Sequence, residues 1–172
     1  MKIIFAISVT FNCLILFSQN LPAFQAKNVA GKIVNRDSIL RSNKVTVINF
    51  WATWCSPCKQ EMREISRLTI QPEFSGVQFI SVSIDEQKDI ESAKTWFKTN
   101  KFSWKLYLDP NKDLFNKVLA VTENTSTAIP ISIVIDQNGL IVGYHTGFDI
   151  EKYKSELLLD LEYINKNKSN EK

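Results

Sequence analysis

The chain has 172 residues, 44% of them hydrophobic, which is enough for one compact domain with a real core and too short for two. Its 21 basic and 18 acidic residues leave a net charge of +3 with no long block of one sign. That excludes the electrostatic footprint of a nucleic-acid binder and of a protein held to anionic membrane by charge.

Residues 1–19 read as a signal peptide, because Lys2 precedes an apolar run over residues 3–17 interrupted only by Ser8, Thr10 and Asn12. Cleavage is expected near Ser18 or Gln19. The small residues that favour cleavage are poorly matched there, so an uncleaved segment serving as a membrane anchor is the alternative. Cys13 is followed by Leu14, Ile15, Leu16 and Phe17 rather than by a polar start, and reads as an apolar filler. The domain is then residues 20–164. It keeps two cysteines, an even count suited to an oxidising compartment. Residues 165–172 form a polar tail with nothing to bury and are expected to be disordered.

Short alternating stretches around Gly31 predict an N-terminal hairpin within residues 24–40. Residues 44–51, with Val45, Val47, Ile48 and Phe50, have the nearly continuous apolar pattern of a strand buried on both faces. An amphipathic helix follows over residues 58–70, with Met62, Ile65 and Leu68 at helical spacing and Lys59, Glu61, Arg63 and Glu64 between them. A strand over residues 77–84, a helix over residues 90–99 and a short strand over residues 104–108 continue the alternation, ended by the turn at Asp109, Pro110 and Asn111. Residues 131–135 and 140–145 read as antiparallel strands joined by Gln137, Asn138 and Gly139, where the Asn-Gly pair favours a tight hairpin. A last helix starts at Ile150 and buries Tyr153, Leu157, Leu158 and Leu161. The fold class is α/β: one mixed sheet flanked by helices.

Cys55, Ser56, Pro57 and Cys58 lie where the first central strand becomes a helix. Free backbone N–H groups and the positive helix end favour a thiolate over a thiol there. Cys55 is expected to attack and Cys58, close enough to close a disulfide, to resolve. Pro57 suits a first helical turn that needs no donor. Structural zinc lacks ligands, since only His145 remains beyond the pair. A copper chaperone using Cys55, Cys58 and His145 stays open, as does a structural disulfide. So does the direction of exchange, reductase or disulfide-installing oxidase. Trp51 and Trp54 flank the motif, as a docking face or as packing. Asn124, Thr125 and Ser126 form a glycosylation triplet, a pattern common by chance.

The segment 47–61 resembles the active-site segment of the thioredoxin superfamily, and within it the exported TlpA/ResA-like thiol–disulfide oxidoreductases. The resemblance covers residues 24–164 and implies a thioredoxin fold with the hairpin as an N-terminal extension. It implies a cis-proline loop at Ile129 and Pro130, which with Trp54, Ser56 and Pro57 would receive substrate. It also places Asn49 where thioredoxins proper carry a buried acid, and Glu86, with Asp85 as the alternative, as proton acceptor for Cys58. The peroxiredoxin loop with its proline and threonine is absent. The implied activity is extracytoplasmic reduction of protein disulfides by a monomer with no bound cofactor. Apocytochrome c is the implied substrate and a membrane thiol the implied electron donor.

Overall fold

The computed structural model describes residues 19–40 and 44–170. The expected leader lies outside the described residues apart from Gln19, and so does Cys13. Gln19 is itself part of a first short strand, β1 (Gln19–Asn20). Among the described residues no helix is long and apolar enough to cross a membrane.

The remaining strands are β2 (Gln25–Asn28), β3 (Ile33–Asn35), β4 (Thr46–Trp51), β5 (Gln78–Ser83), β6 (Lys105–Leu108), β7 (Ile131–Ile135) and β8 (Leu140–Thr146). The helices are α1 (Arg36–Ile39), α2 (Ser56–Leu68), α3 (Ile90–Thr99), α4 (Asp113–Val121) and α5 (Ile150–Asn170). All eight strands form one sheet in the order β1-β8-β7-β4-β5-β6-β2-β3. β4, β5 and β6 run parallel, and β7 is antiparallel to β4. The hairpin β2–β3 extends the sheet by pairing β2 with β6.

Every residue of β4 is buried, as its unbroken apolar pattern requires, because helices cover both faces of the sheet. Ile48 and Phe50 face α4, where Phe115 meets the Phe50 ring edge-on at 5.3 Å. Val47 and Trp51 face the other way, toward α2, α3 and α5. The active-site strand therefore cannot shift its register by one residue without inverting both cores.

Two elements differ from expectation. α4 was not anticipated, although Leu114, Phe115, Val118 and Leu119 form its buried face. Its start is held by Asp109, whose carboxylate accepts the N–H groups of Asp113 at 2.8 Å and Phe115 at 3.0 Å, so the turn that ends β6 also caps a helix. The segment after Ile164, expected to be disordered, continues α5 to Asn170, supported by pairs such as Lys166 with Glu162 at 2.8 Å. The β7–β8 connection runs through residues 137–139, as the sequence predicts, closed by the Asp136 N–H donating to the Leu140 carbonyl at 2.9 Å. Gly139 takes the left-handed conformation at φ 88°, and the Asp136 carboxylate accepts the N–H of Asn138 and Leu140.

Candidate active site

β4 ends at Trp51, and the chain must turn within four residues to start α2. Asp85, 1% exposed at the end of β5, fixes this turn: its carboxylate accepts the Thr53 N–H at 3.0 Å, the Thr53 hydroxyl at 2.6 Å and the Ser83 hydroxyl at 2.8 Å. Cys55 then caps α2, its Sγ accepting the Cys58 N–H at 3.2 Å, while Ser56 and Pro57 form the exposed first turn. Cys55 and Cys58 are joined as a disulfide with Cα atoms 5.3 Å apart.

Facing the disulfide, the Ile129–Pro130 peptide bond is cis, and the Ile129 carbonyl oxygen lies 3.6 Å from the Cys55 Sγ. The Pro130 carbonyl accepts the Gly147 N–H at 3.1 Å, tying this loop to the end of β8. The fold thus brings together Cys55, Cys58, Ser56, Pro57, Ile129 and Pro130. The two tryptophans separate: Trp54 is 66% exposed beside Cys55, whereas Trp51 is fully buried against Trp96 at 4.8 Å and belongs to the core. A docking face made of both is corrected to Trp54 alone.

The expected acid is corrected as well. Glu86 points to solvent and pairs with Lys88 at 3.1 Å, and Asp85 is committed to Thr53 and Ser83. The buried acid behind the disulfide is Glu61, 2% exposed and one turn after Cys58 on the same face of α2. Its carboxylate accepts a hydrogen bond from the Asn49 amide at 2.6 Å, and the same amide lies 3.2 Å from the Ser132 hydroxyl. Burial pushes the Glu61 carboxyl up to about 8, against the opposing effects of the Asn49 hydrogen bond and the His145 charge. Tyr153 from α5 is buried nearby, and burial together with the Glu61 charge pushes its phenol upward.

His145 does not join the cysteines. Its ring lies between Glu156, 3.0 Å from Nδ1, and Asp160, 2.7 Å from Nε2. Burial alone would lower its pKa, but Asp160 and then Glu156 outweigh that and raise it. Gly143, two residues earlier on β8, leaves the space that the Asp160 carboxylate occupies. Among the described residues no three histidine, cysteine or acidic side chains converge as a metal site, which removes the geometric basis for copper held by Cys55, Cys58 and His145.

The AhpC/TSA family model matches residues 17–144. Among curated relatives, sporulation thiol-disulfide oxidoreductase A of Bacillus subtilis is 22% identical over 77% of this chain and 78% of its own length. The thiol:disulfide interchange protein DsbE homolog of Paracoccus denitrificans is 27% identical over 86% and 76%. The solution structure of a thioredoxin-like protein from Porphyromonas gingivalis superposes with a TM-score of 0.68 at 32% identity, covering 84% of this chain and 90% of that one. With a redox-capable cysteine pair at the start of α2 and relatives of this kind, the chain belongs to the AhpC/TSA family, as a thiol–disulfide oxidoreductase of the ResA, DsbE and StoA type.

Proposed function

We propose that the protein is an extracytoplasmic reductase of protein disulfides, with Cys55 as nucleophile, Cys58 as resolving thiol and Glu61 as the acceptor of the Cys58 proton. The observation that carries the mechanism is the buried Glu61 carboxyl one turn behind a disulfide whose outer sulfur faces the Ile129 carbonyl.

In the reduced protein the Cys55 thiolate attacks one sulfur of a substrate disulfide. The substrate S–S bond breaks, its second sulfur leaves as a thiolate that takes a proton from solvent, and a mixed disulfide forms. Cys58 then gives its proton to Glu61, and its sulfur attacks the Cys55 sulfur. The bond between Cys55 and the substrate sulfur breaks, and that sulfur leaves as a thiolate that takes a proton from solvent. The substrate departs as a dithiol with Cys55–Cys58 oxidised, and the proton on Glu61 is later lost to solvent. Burial raises the Glu61 carboxyl from the usual carboxylate range toward that of a thiol, which makes it a better acceptor for the Cys58 proton. Trp54, Ser56 and Pro57 offer an exposed rim, and the Ile129 and Pro130 backbone a polar edge, for the extended chain flanking a substrate cysteine.

Extracytoplasmic location is supported by the apolar, Lys2-led segment at residues 1–19. The TlpA/ResA-like resemblance supports apocytochrome c as the specific substrate and a membrane thiol as the source of the two electrons each cycle consumes. The measurement that tests the direction is the reduction potential of the Cys55–Cys58 couple in defined dithiothreitol or glutathione buffers. A value near or below about −270 mV, that of thioredoxin, is expected. A value near about −120 mV, as in strong periplasmic oxidants, would overturn reduction in favour of disulfide installation.

A further inference from the structure

We infer that the groove between the N-terminal hairpin and α3 is a docking site for an acidic polypeptide segment carrying apolar anchors. The groove is open on one side and has a volume of about 990 Å³. Its wall is apolar and preformed: Phe102 and Trp104 stack at 4.6 Å, and the Trp104 indole is fixed by its hydrogen bond to the Ser81 hydroxyl at 2.8 Å. On the hairpin side Val29 and Ile33 are 51% and 59% exposed, an unusual placement for aliphatic side chains that face a cavity.

The rim supplies the charge. Lys94 and Lys98 come from α3, Lys101 from the turn after it, Lys105 from the start of β6 and Lys32 from the hairpin, and among the described residues no carboxylate lines the groove. Lys94 is paired with Glu91 at 2.7 Å, outside the lining. A single anionic headgroup would use one or two of these cations. Charges placed around three sides favour an occupant with several carboxylates spaced along a chain.

The backbone offers a further contact. β2 reaches β6 only at Lys27 opposite Leu108 and Asn28 opposite Tyr107, so β2 does not cover β6 at Lys105 and Leu106. An extended segment can add there as a short strand. These residues pair with Ile80 and Ser81, while the level of Trp51 and Ser83, next to the disulfide, is reached only at Leu108. An occupant of the groove therefore leaves Cys55 open.

The test uses the purified full chain, immobilised, and three pools of random-order peptides containing leucine and phenylalanine with glutamate, serine or lysine as the remaining residues. The glutamate pool is expected to be retained at least about tenfold over the serine pool, with retention falling at high salt. Lys98→Glu with Lys101→Glu, and separately Ile33→Ser, should abolish the preference while leaving exchange with dithiothreitol unchanged, which shows that the fold is intact. Equal retention of the glutamate and serine pools, or a preference unaltered in the charge-reversed variant, would overturn the inference. So would retention of laurate without the acidic peptides, which assigns the groove to an amphiphilic anion. Self-association abolished by the same variants would assign it to a second copy of the chain.

Discussion

Glu61 and Asn49 are paired inside the protein: the Asn49 amide donates to the Glu61 carboxylate at 2.6 Å, with neither residue more than 3% exposed. A polar residue in the middle of an otherwise apolar central strand is costly unless it is paired, and a carboxylate beneath the active-site helix is costlier still. Each explains the other. Together they place a carboxyl of raised pKa one turn behind the disulfide, where the proposed function needs a proton acceptor.

The first consequence is kinetic. With Glu61→Gln the mixed disulfide should still form, because Cys55 is untouched, but its resolution by Cys58 should slow by roughly a hundredfold, the usual scale for losing a general base. In the native protein the resolving step should quicken as pH rises and level off once Glu61 is ionised, near pH 8. The variant should lack that inflection. Stopped-flow mixing with a disulfide substrate, followed by acid trapping of the mixed disulfide, separates the two steps. Equal resolution rates in both proteins would remove Glu61 from the mechanism.

The sequence carried a signal for Glu61 that segment-by-segment reasoning passes over. The residue is three after Cys58 and four before Ile65, which puts it on the buried stripe of α2 rather than among the solvated charges around it. Asn49 carried the complementary signal, as a polar residue inside β4. Glu86 was expected instead from the family resemblance, by its place after the second central strand, a placement that no local pattern of burial supports. Cys55 and Cys58 were legible because their chemistry is local, a strand-to-helix junction, whereas the cis bond before Pro130 followed only from the family resemblance. The path of α5 past Ile164 was not legible, since a polar sequence says little about whether a helix already nucleated will continue.

Asp85 and Glu86 are neighbours with opposite fates, and substitution should separate them. Asp85→Ala leaves the Thr53 N–H and the Ser83 hydroxyl without their acceptor in a buried turn, a loss of about 3 kcal/mol in unfolding free energy. Glu86→Gln removes only a solvent-exposed pair with Lys88 and should leave both stability and exchange rate unchanged. Urea denaturation of both variants, with insulin reduction as the activity readout, checks the contrast. A slow Glu86→Gln enzyme would return that residue to the site.

Stability should fall with pH through the neutral range. Glu61 has an unfolded value of 4.5 and a folded value of about 8. A folded pKa above the unfolded one means that the folded protein holds the proton more tightly. The associated stability is therefore complete below about pH 4.5 and is lost as pH rises to about 8. At about 1.4 kcal/mol per unit, the loss is on the order of 5 kcal/mol. His145, also raised, acts with the same sign: its contribution is complete below its unfolded value of 6.5 and is lost as pH rises through the higher folded value. Glu61→Gln should flatten the first part and leave the second, so the variant gains on the native protein steadily between about pH 4.5 and pH 8. Denaturant titrations across that range measure the difference directly. Parallel curves would mean that Glu61 titrates normally.

The His145 part of that dependence can be isolated at Gly143. A Cβ at this position would collide with the Asp160 carboxylate, which could then no longer sit against the His145 ring. Gly143→Ala should cost about 1–3 kcal/mol, the range for a clash within a packed layer. It should also lower the His145 pKa, because Asp160 is the larger of the two carboxylate influences that overcome the effect of burial. An NMR titration of the imidazole protons, identified without ambiguity because the chain has one histidine, reads the shift alongside a thermal melt. A destabilised variant with an unmoved His145 titration would show that Glu156 alone holds the imidazolium. A lowered pKa with the resolving step still inflecting near pH 8 would show that His145 and Glu61 titrate independently, although the His145 charge now opposes the burial of Glu61.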